Sequence, residues 1–327
     1  PASAHALYAE LFPGAIGTML ARADHVRVFA GGELAALPLA ALVTRPPGGG
    51  DTARARWLIE DHALTMVSDL GALVAVAPRA SADRPLRDQR LLAIADPSGF
   101  AVTAAATAPV MRGDTGIARY FGSAGINRDE LARLPALPSS RAEATTMAAL
   151  FGPARSTLLL GDAATEAQLR TAAREDYGVI LFATHGLVAG ELESLAEPAL
   201  VLSPAPDAAD RSADGLLTLS EIGELKLAAD WVILSACNSA AGGGRGLPAY
   251  TGLAEAFRYA GADKLLVSHW PVRDDSAAAL TTTMLREYQR GKSPPQALRA
   301  AMRQMIAAHR KQGRTDPYLW APFVLLQ

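Results

Sequence analysis

Cysteine is almost missing from the sequence: Cys237 is the only one among 327 residues. One thiol excludes a disulfide within the chain and a thiolate-built zinc cluster, and it suits a reducing compartment, so a cytoplasmic location is expected. An excess of one charge is also lacking. The 31 basic and 33 acidic residues leave a formal charge of −2, which is no footprint for a nucleic-acid backbone or an anionic membrane surface. No apolar run approaches the roughly 20 residues of a membrane helix. No basic segment followed by an apolar one opens the chain in the manner of a secretory signal. His5, His25, His62 and His309 show no metal-ligand spacing with one another or with carboxylates, and neither a metal nor another cofactor is expected. The glycine run 242–246 has no Gly-Lys-Ser/Thr behind it and does not match a phosphate loop. No repeat of solenoid length is visible.

What the sequence has is aliphatic material: half of it is hydrophobic, only 6% aromatic and 20% charged. That composition fills a core and excludes a disordered chain. The first third alternates short apolar runs with Pro/Gly breaks. A helix is expected to end at Phe12 before Pro13-Gly14, with strands at Val26–Phe29, Ala63–Val67 and Leu91–Ala95. Residues 99 to 140 are the least periodic, which places a boundary between units 1–135 and 136–327. The second unit reads as alternating elements. Helices are expected at Arg141–Phe151, Thr165–Asp176, Leu219–Leu227, Leu253–Ala260, Ser276–Gln289 and Pro295–His309. Strands are expected at Ser156–Leu160, Val179–Ala183, Ala199–Leu202, Trp231–Ser235, Lys264–Ser268 and Phe323–Leu326. Continuous apolar strands alternating with helices indicate a mainly parallel sheet buried on both faces, an α/β sandwich.

Two of these strands run into chemistry. Val179–Ala183 leads into Thr184-His185-Gly186, and Trp231–Ser235 leads into Ala236-Cys237-Asn238-Ser239. Ligands of open parallel sheets lie beyond the carboxyl ends of the strands, so an imidazole and a thiol are delivered to one edge. A thiol needs a base or a lowered pKa to react near neutrality, and a histidine supplies it. The N–H groups of Gly186 and Cys237, in tight turns beside the reacting atoms, are candidate oxyanion donors. The plainer readings are a buried small hydrophobe for Cys237 and a turn residue for His185.

The segments FATHGLVAGEL (182–192), LSACNSAAG (234–242), GLAEAFRYAGADKLLVSHWPVRDD (252–275) and DPYLWAPFVLL (316–326) together resemble a CHAT domain. This caspase-like family is often fused to tetratricopeptide repeats and belongs to the wider group of caspases, separase and gingipains. VFAGGELAALPLAAL (28–42) fits the family's early strand-turn-helix segment, so the resemblance covers most of the chain. The resemblance implies a caspase-like three-layer α/β sandwich with His185 as general base and Cys237 as nucleophile. Separase-like members suggest that residues 1–135 form a degenerate caspase-like half ahead of a catalytic half at 136–327. Two departures stand out. The loop Gly242-Gly243-Gly244-Arg245-Gly246-Leu247-Pro248 lacks the acid often found there, and Leu181 replaces a frequent histidine.

Other residues at strand ends are weaker candidates for substrate binding: Asp162, Ser268, His269, Trp270, Asp274 and Asp275. Asp274 or Asp275 is equally a helix cap and Trp270 a core residue, and His269 ranks second to His185 as a base. The acidic stretch at Glu191, Glu193, Glu197, Asp207, Asp210 and Asp214 reads as a solvated loop. Loops 203–214 and 240–250, poor in packing residues, are expected at the low-stability end of the structure. The expected function is a cysteine endopeptidase acting on a protein or peptide, regulated by an upstream repeat region or a bound protein. Two readings stay open beside it: a catalytically silent caspase-like scaffold, and a thiol-dependent acyltransferase or amidase.

Overall fold

Short apolar runs punctuated by Gly, Pro and Asp form the strands, and the alanine-rich amphipathic stretches between them form the helices. The structure is a computed structural model that describes residues 1–46, 52–67, 85–100, 131–132, 134, 136–189, 195–205, 213–235, 252–270, 272–313 and 315–327. Its strands are β1 (His25–Val28), β2 (Val43–Arg45), β3 (Arg56–Trp57), β4 (Ala63–Met66), β5 (Leu91–Ala95), β6 (Ser156–Leu160) and β7 (Val179–Ala183). They continue as β8 (Gly186–Leu187), β9 (Ala199–Val201), β10 (Leu216–Thr218), β11 (Trp231–Leu234), β12 (Lys264–Ser268) and β13 (Phe323–Leu326). The helices are α1 (Ala2–Leu11), α2 (Gly14–Leu20), α3 (Leu58–Asp61), α4 (Ser140–Phe151) and α5 (Glu166–Ala172). After them come α6 (Leu219–Glu224), α7 (Leu253–Ala260), α8 (Asp274–Gln289), α9 (Pro294–Lys311) and α10 (Pro317–Trp320).

Eight strands make one sheet in the order β1-β4-β13-β12-β11-β7-β5-β6. Neighbours are parallel throughout except where β13 meets β12 antiparallel. Strands from both sides of residue 135 share this sheet: β5 lies between β7 and β6, and β4 pairs with β13. The strand expected at Ala199–Leu202 is present but does not join it. It is the middle strand of a separate antiparallel sheet, β10-β9-β8. The carboxyl end of β7 supplies its partner, so this small sheet grows directly out of the edge that carries His185.

Helices cover both faces. Successive residues of a strand point to opposite faces, and β7 and β11 pair in the register Val179↔Trp231, Phe182↔Leu234. Trp231 packs its ring on Tyr288 of α8 at 5.4 Å, whereas Phe182 packs on Phe257 of α7 at 5.2 Å. Phe182 shares a face with Leu234 and Trp231 lies on the other, so α8 and α7 are on opposite sides. The result is a three-layer sandwich whose central strands β5, β7, β11 and β12 are buried along their whole length.

Local sequence sets the helix ends. Thr218 caps α6: its side chain accepts the Glu221 N–H while the Glu221 carboxylate accepts the Thr218 N–H at 3.0 Å. Thr165 caps α5, accepting the Gln168 N–H at 3.3 Å. That helix stops at Ala172, short of the expected Asp176, because Tyr177 turns inward and shares a 2.8 Å hydrogen bond with Thr157 of β6. Gly261 ends α7 at φ 115°, where an added Cβ would lie 2.1 Å from the Leu227 carbonyl oxygen. The first helix ends before Pro13-Gly14 as expected, with Phe12 as its C-cap, and a second helix not anticipated from the sequence, α2, starts at Gly14 with Pro13 in an extended conformation ahead of it.

The amino-terminal segment is tied to the C-terminal helices. Glu60 is buried and accepts from Arg310 Nη1 at 2.6 Å, Arg310 Nη2 at 2.8 Å and the Trp57 N–H at 3.0 Å. The Trp57 and Trp320 rings meet edge to face at 5.3 Å. His5, His25 and His62 are structural: they bond Val43 O, Thr65 Oγ1 and Ala23 O at 2.8, 2.8 and 2.6 Å.

Candidate active site

The carboxyl ends of β12, β11, β7, β5 and β6 form one edge of the sheet. Strands β12, β11 and β7 are consecutive neighbours, so the strands leading to Ser268, Cys237 and His185 lie side by side. Cys237 itself, and the loop 240–250 expected to be labile, fall outside the described residues. So do Glu191, Glu193, Asp207 and Asp210.

His185 follows β7 by two residues and is half-buried. Its backbone is held on both sides. The Val201 N–H donates to the His185 carbonyl at 2.9 Å, and Thr184 Oγ1 donates to the same carbonyl at 3.3 Å. The Val201 bond flanks the Gly186↔Leu200 pair. That is the geometry of a non-hydrogen-bonded antiparallel position, which leaves the Gly186 N–H outside the ladder and directed away from β9.

At the next strand, Ser235 closes β11: its N–H donates to the Phe182 carbonyl at 2.9 Å. Its hydroxyl donates to Glu143 Oε2 of α4 at 2.9 Å, and Thr281 Oγ1 of α8 lies 2.5 Å from Glu143 Oε1. Glu143 is buried, and burial is the main reason its carboxyl is pushed up to about 7, with the charge of Asp274 adding to the effect. Sequence reasoning did not single out Glu143. An acid in the first turn reads as a favourable partner for the helix dipole. The available signal was its spacing, since Ser140, Glu143, Met147 and Phe151 all fall on the buried face.

The remaining candidates are dispersed. Ser268 ends β12 and is fully buried. The His269 N–H donates to the Pro322 carbonyl at 2.8 Å. His269 lines a small cavity of about 20 Å³ with Leu64, Met66, Phe323 and Leu325. Those residues belong to β4 and β13, on the far side of β12 from β11. Burial pushes His269 down to about 4, so it is neutral at pH 7. Trp270 is half-exposed, stacks on Tyr318 at 6.1 Å and donates Nε1–H to the Tyr318 carbonyl at 3.2 Å.

Asp162 sits two strands from β7, where it accepts from the Ser98 hydroxyl. Nearby, Arg141 Nε donates to Asp96 at 2.6 Å, and Asp96 is a non-glycine residue at φ 52°. Asp274 accepts the Ser139 N–H. Asp275 is exposed and accepts from Arg273 at 3.1 and 2.7 Å; those hydrogen bonds hold its carboxyl below the ordinary range. Among the described residues no group of three or more His, Cys, Asp or Glu side chains is placed to hold a metal ion, and no helix is long and apolar enough to cross a membrane.

The molecule is thus a three-layer α/β protein with a mainly parallel sheet whose central edge carries a histidine, and the family can be stated. The CHAT domain model matches residues 1–327, and the chain belongs to the CHAT domain family. No curated protein gives a significant match. Among solved structures, the chain is similar to the Arg-specific cysteine proteinase gingipain R (RGPB). The TM-score is 0.40 and the identity 11%, over 75% of this chain and 50% of that one. It is also similar to the complex of Porphyromonas gingivalis RgpB pro- and mature domains, with TM-score 0.41 and 12% identity over 72% of this chain and 46% of that one. The chain spans about half the length of these two proteins.

Proposed function

We propose that this CHAT domain is a cysteine endopeptidase in which His185 is the general base and Cys237 the nucleophile. One observation carries the reading: β7 and β11 are parallel neighbours in the register Phe182↔Leu234. His185 lies three positions after Phe182 in the sequence, and Cys237 lies three after Leu234. The same count along two paired strands delivers the imidazole and the thiol to one edge, where parallel sheets bind ligands.

In this mechanism His185 takes the Cys237 proton, and the thiolate attacks a peptide carbonyl carbon. The C–N bond breaks as the imidazolium returns the proton to the leaving amine, and water then hydrolyses the thioester with His185 as base. The Gly186 N–H, outside the β8–β9 ladder, is a donor for the oxyanion. His269 is the poorer base, because burial pushes it down to about 4. The substrate is a protein or peptide, and an upstream repeat region or a bound protein regulates access to the edge.

A peptidyl acyloxymethyl ketone library, carrying every side chain at P1, tests the reading by mass spectrometry. The expected result is a single adduct on Cys237 that forms at least tenfold more slowly in His185→Ala. Equal rates in the two proteins would leave a silent scaffold as the better description.

A further inference from the structure

A buried carboxyl that contacts the end of the nucleophile strand has no part in the chemistry above. Glu143 lies beneath the sheet edge, held between two hydroxyls from different elements: Ser235 at the end of β11 and Thr281 in the second turn of α8. Ser235 has the strand parity of Trp231, whose ring packs on α8, so its side chain points to the face where α4 and α8 meet. Two residues further along the sequence is Cys237.

The hydrogen bonds close this cluster. Thr281 Oγ1 donates to Glu143 Oε1 at 2.5 Å and Ser235 Oγ donates to Glu143 Oε2 at 2.9 Å. Each carboxyl oxygen thus has a hydroxyl donor from a different element, which is what a buried acid requires. Burial raises the carboxyl to about 7.

We infer that Glu143 is a positioning residue that clamps the Ser235 side chain to α4 and α8 and thereby fixes the direction in which the chain leaves β11 toward Cys237. The inference rests on the reading of Cys237 as a nucleophile paired with His185. It adds a distinct claim, that the pairing depends on a carboxyl 94 positions earlier in the sequence.

Because Cys237 is the only cysteine, its alkylation by iodoacetamide at pH 7 reads the thiolate directly, with no substrate needed. The comparison uses the folded chain, the chain unfolded in urea, Glu143→Gln, Glu143→Leu and Ser235→Ala, each with a thermal melt. The folded chain is expected to react at least tenfold faster than the unfolded one. Glu143→Gln, whose amide donates to Thr281 and accepts from Ser235, should stay within threefold of it. Glu143→Leu and Ser235→Ala should each be at least tenfold slower, and the double variant no slower than the slower single.

Should Glu143→Leu fail to fold, Ser235→Ala decides, since it leaves the Glu143–Thr281 contact in place. Folded Glu143→Leu or Ser235→Ala reacting at the unmodified rate would overturn the positioning role and leave the dyad standing. Glu143→Gln as slow as Glu143→Leu would overturn the hydrogen-bond clamp. A folded chain no faster than the unfolded one would overturn the dyad, and the clamp with it.

Discussion

The Asp274 carboxylate accepts the backbone N–H of Ser139, 135 positions earlier in the chain. The first residue of α8 thus satisfies a donor at the start of α4, which no side chain of α4 itself does. Together with the Glu143–Thr281 contact, this fixes α4 against α8 at two points, about one turn apart along α4 and about two turns apart along α8.

That cap has a measurable worth. Asp274→Ala leaves the Ser139 N–H to water or unpaired and is expected to destabilise the fold by about 1 kcal/mol. Thermal or urea denaturation at pH 7 checks it. A midpoint unchanged within error would show that the carboxylate is not needed there.

Stability should fall as pH rises past neutrality. Glu166 is buried on α5, and burial first, then the charges of Glu221 and Asp214, push its carboxyl up to about 8; Glu143 is raised to about 7. Both protons are held in the folded chain at a pH where the unfolded chain has released them. Their contribution is therefore full below the ordinary value of 4.5 and is lost as pH climbs through 7 to 8. Glu166→Gln removes the ionisation and should stabilise the protein at pH 8.5 by on the order of 2 kcal/mol relative to its effect at pH 5. Melting curves at the two pH values decide; an equal effect at both would contradict the assignment.

The Glu60–Arg310 pair should behave in the opposite sense. Burial pushes the Glu60 carboxyl up, but hydrogen bonds from Arg310 and the Trp57 N–H outweigh it and hold the group below its ordinary value. Arg310→Met strands a buried carboxylate and is expected to cost about 3 kcal/mol at pH 7. The pair's contribution is present above the ordinary carboxyl value and is lost as pH falls through the depressed one, so the penalty should shrink toward pH 3. A penalty independent of pH would mean that packing, not charge, links α9 to the segment around α3.

Much of the sheet was legible in the sequence because its strands are continuous apolar runs, buried on both faces at the centre of the sheet. Leu91–Ala95, Ser156–Leu160, Val179–Ala183, Lys264–Ser268 and Phe323–Leu326 are found at the bounds expected from their apolar runs. Partner choice was less legible. Ala199–Leu202 reads as a core strand, yet the strand that forms there, Ala199–Val201, pairs with Gly186-Leu187, a two-residue strand too short to carry a period of its own. The antiparallel entry of β13 between β12 and β4 depends on where α9 and α10 return the chain, which no local pattern encodes. At the candidate site, His185 was legible as a proposed base because it follows a strand. Glu143 was not legible, because its contacts are with Ser235 and Thr281, 92 and 138 positions away.

Cleavage itself tests the central claim most directly. A proteome-derived peptide library is incubated with the domain, with Cys237→Ala and with His185→Ala, and new N-termini are counted by mass spectrometry. The account predicts a recurrent set of cleavages by the unmodified chain that falls to background in both variants while their melting temperatures stay within a few degrees of it. Cleavages that persist in either folded variant would contradict a His185–Cys237 peptidase.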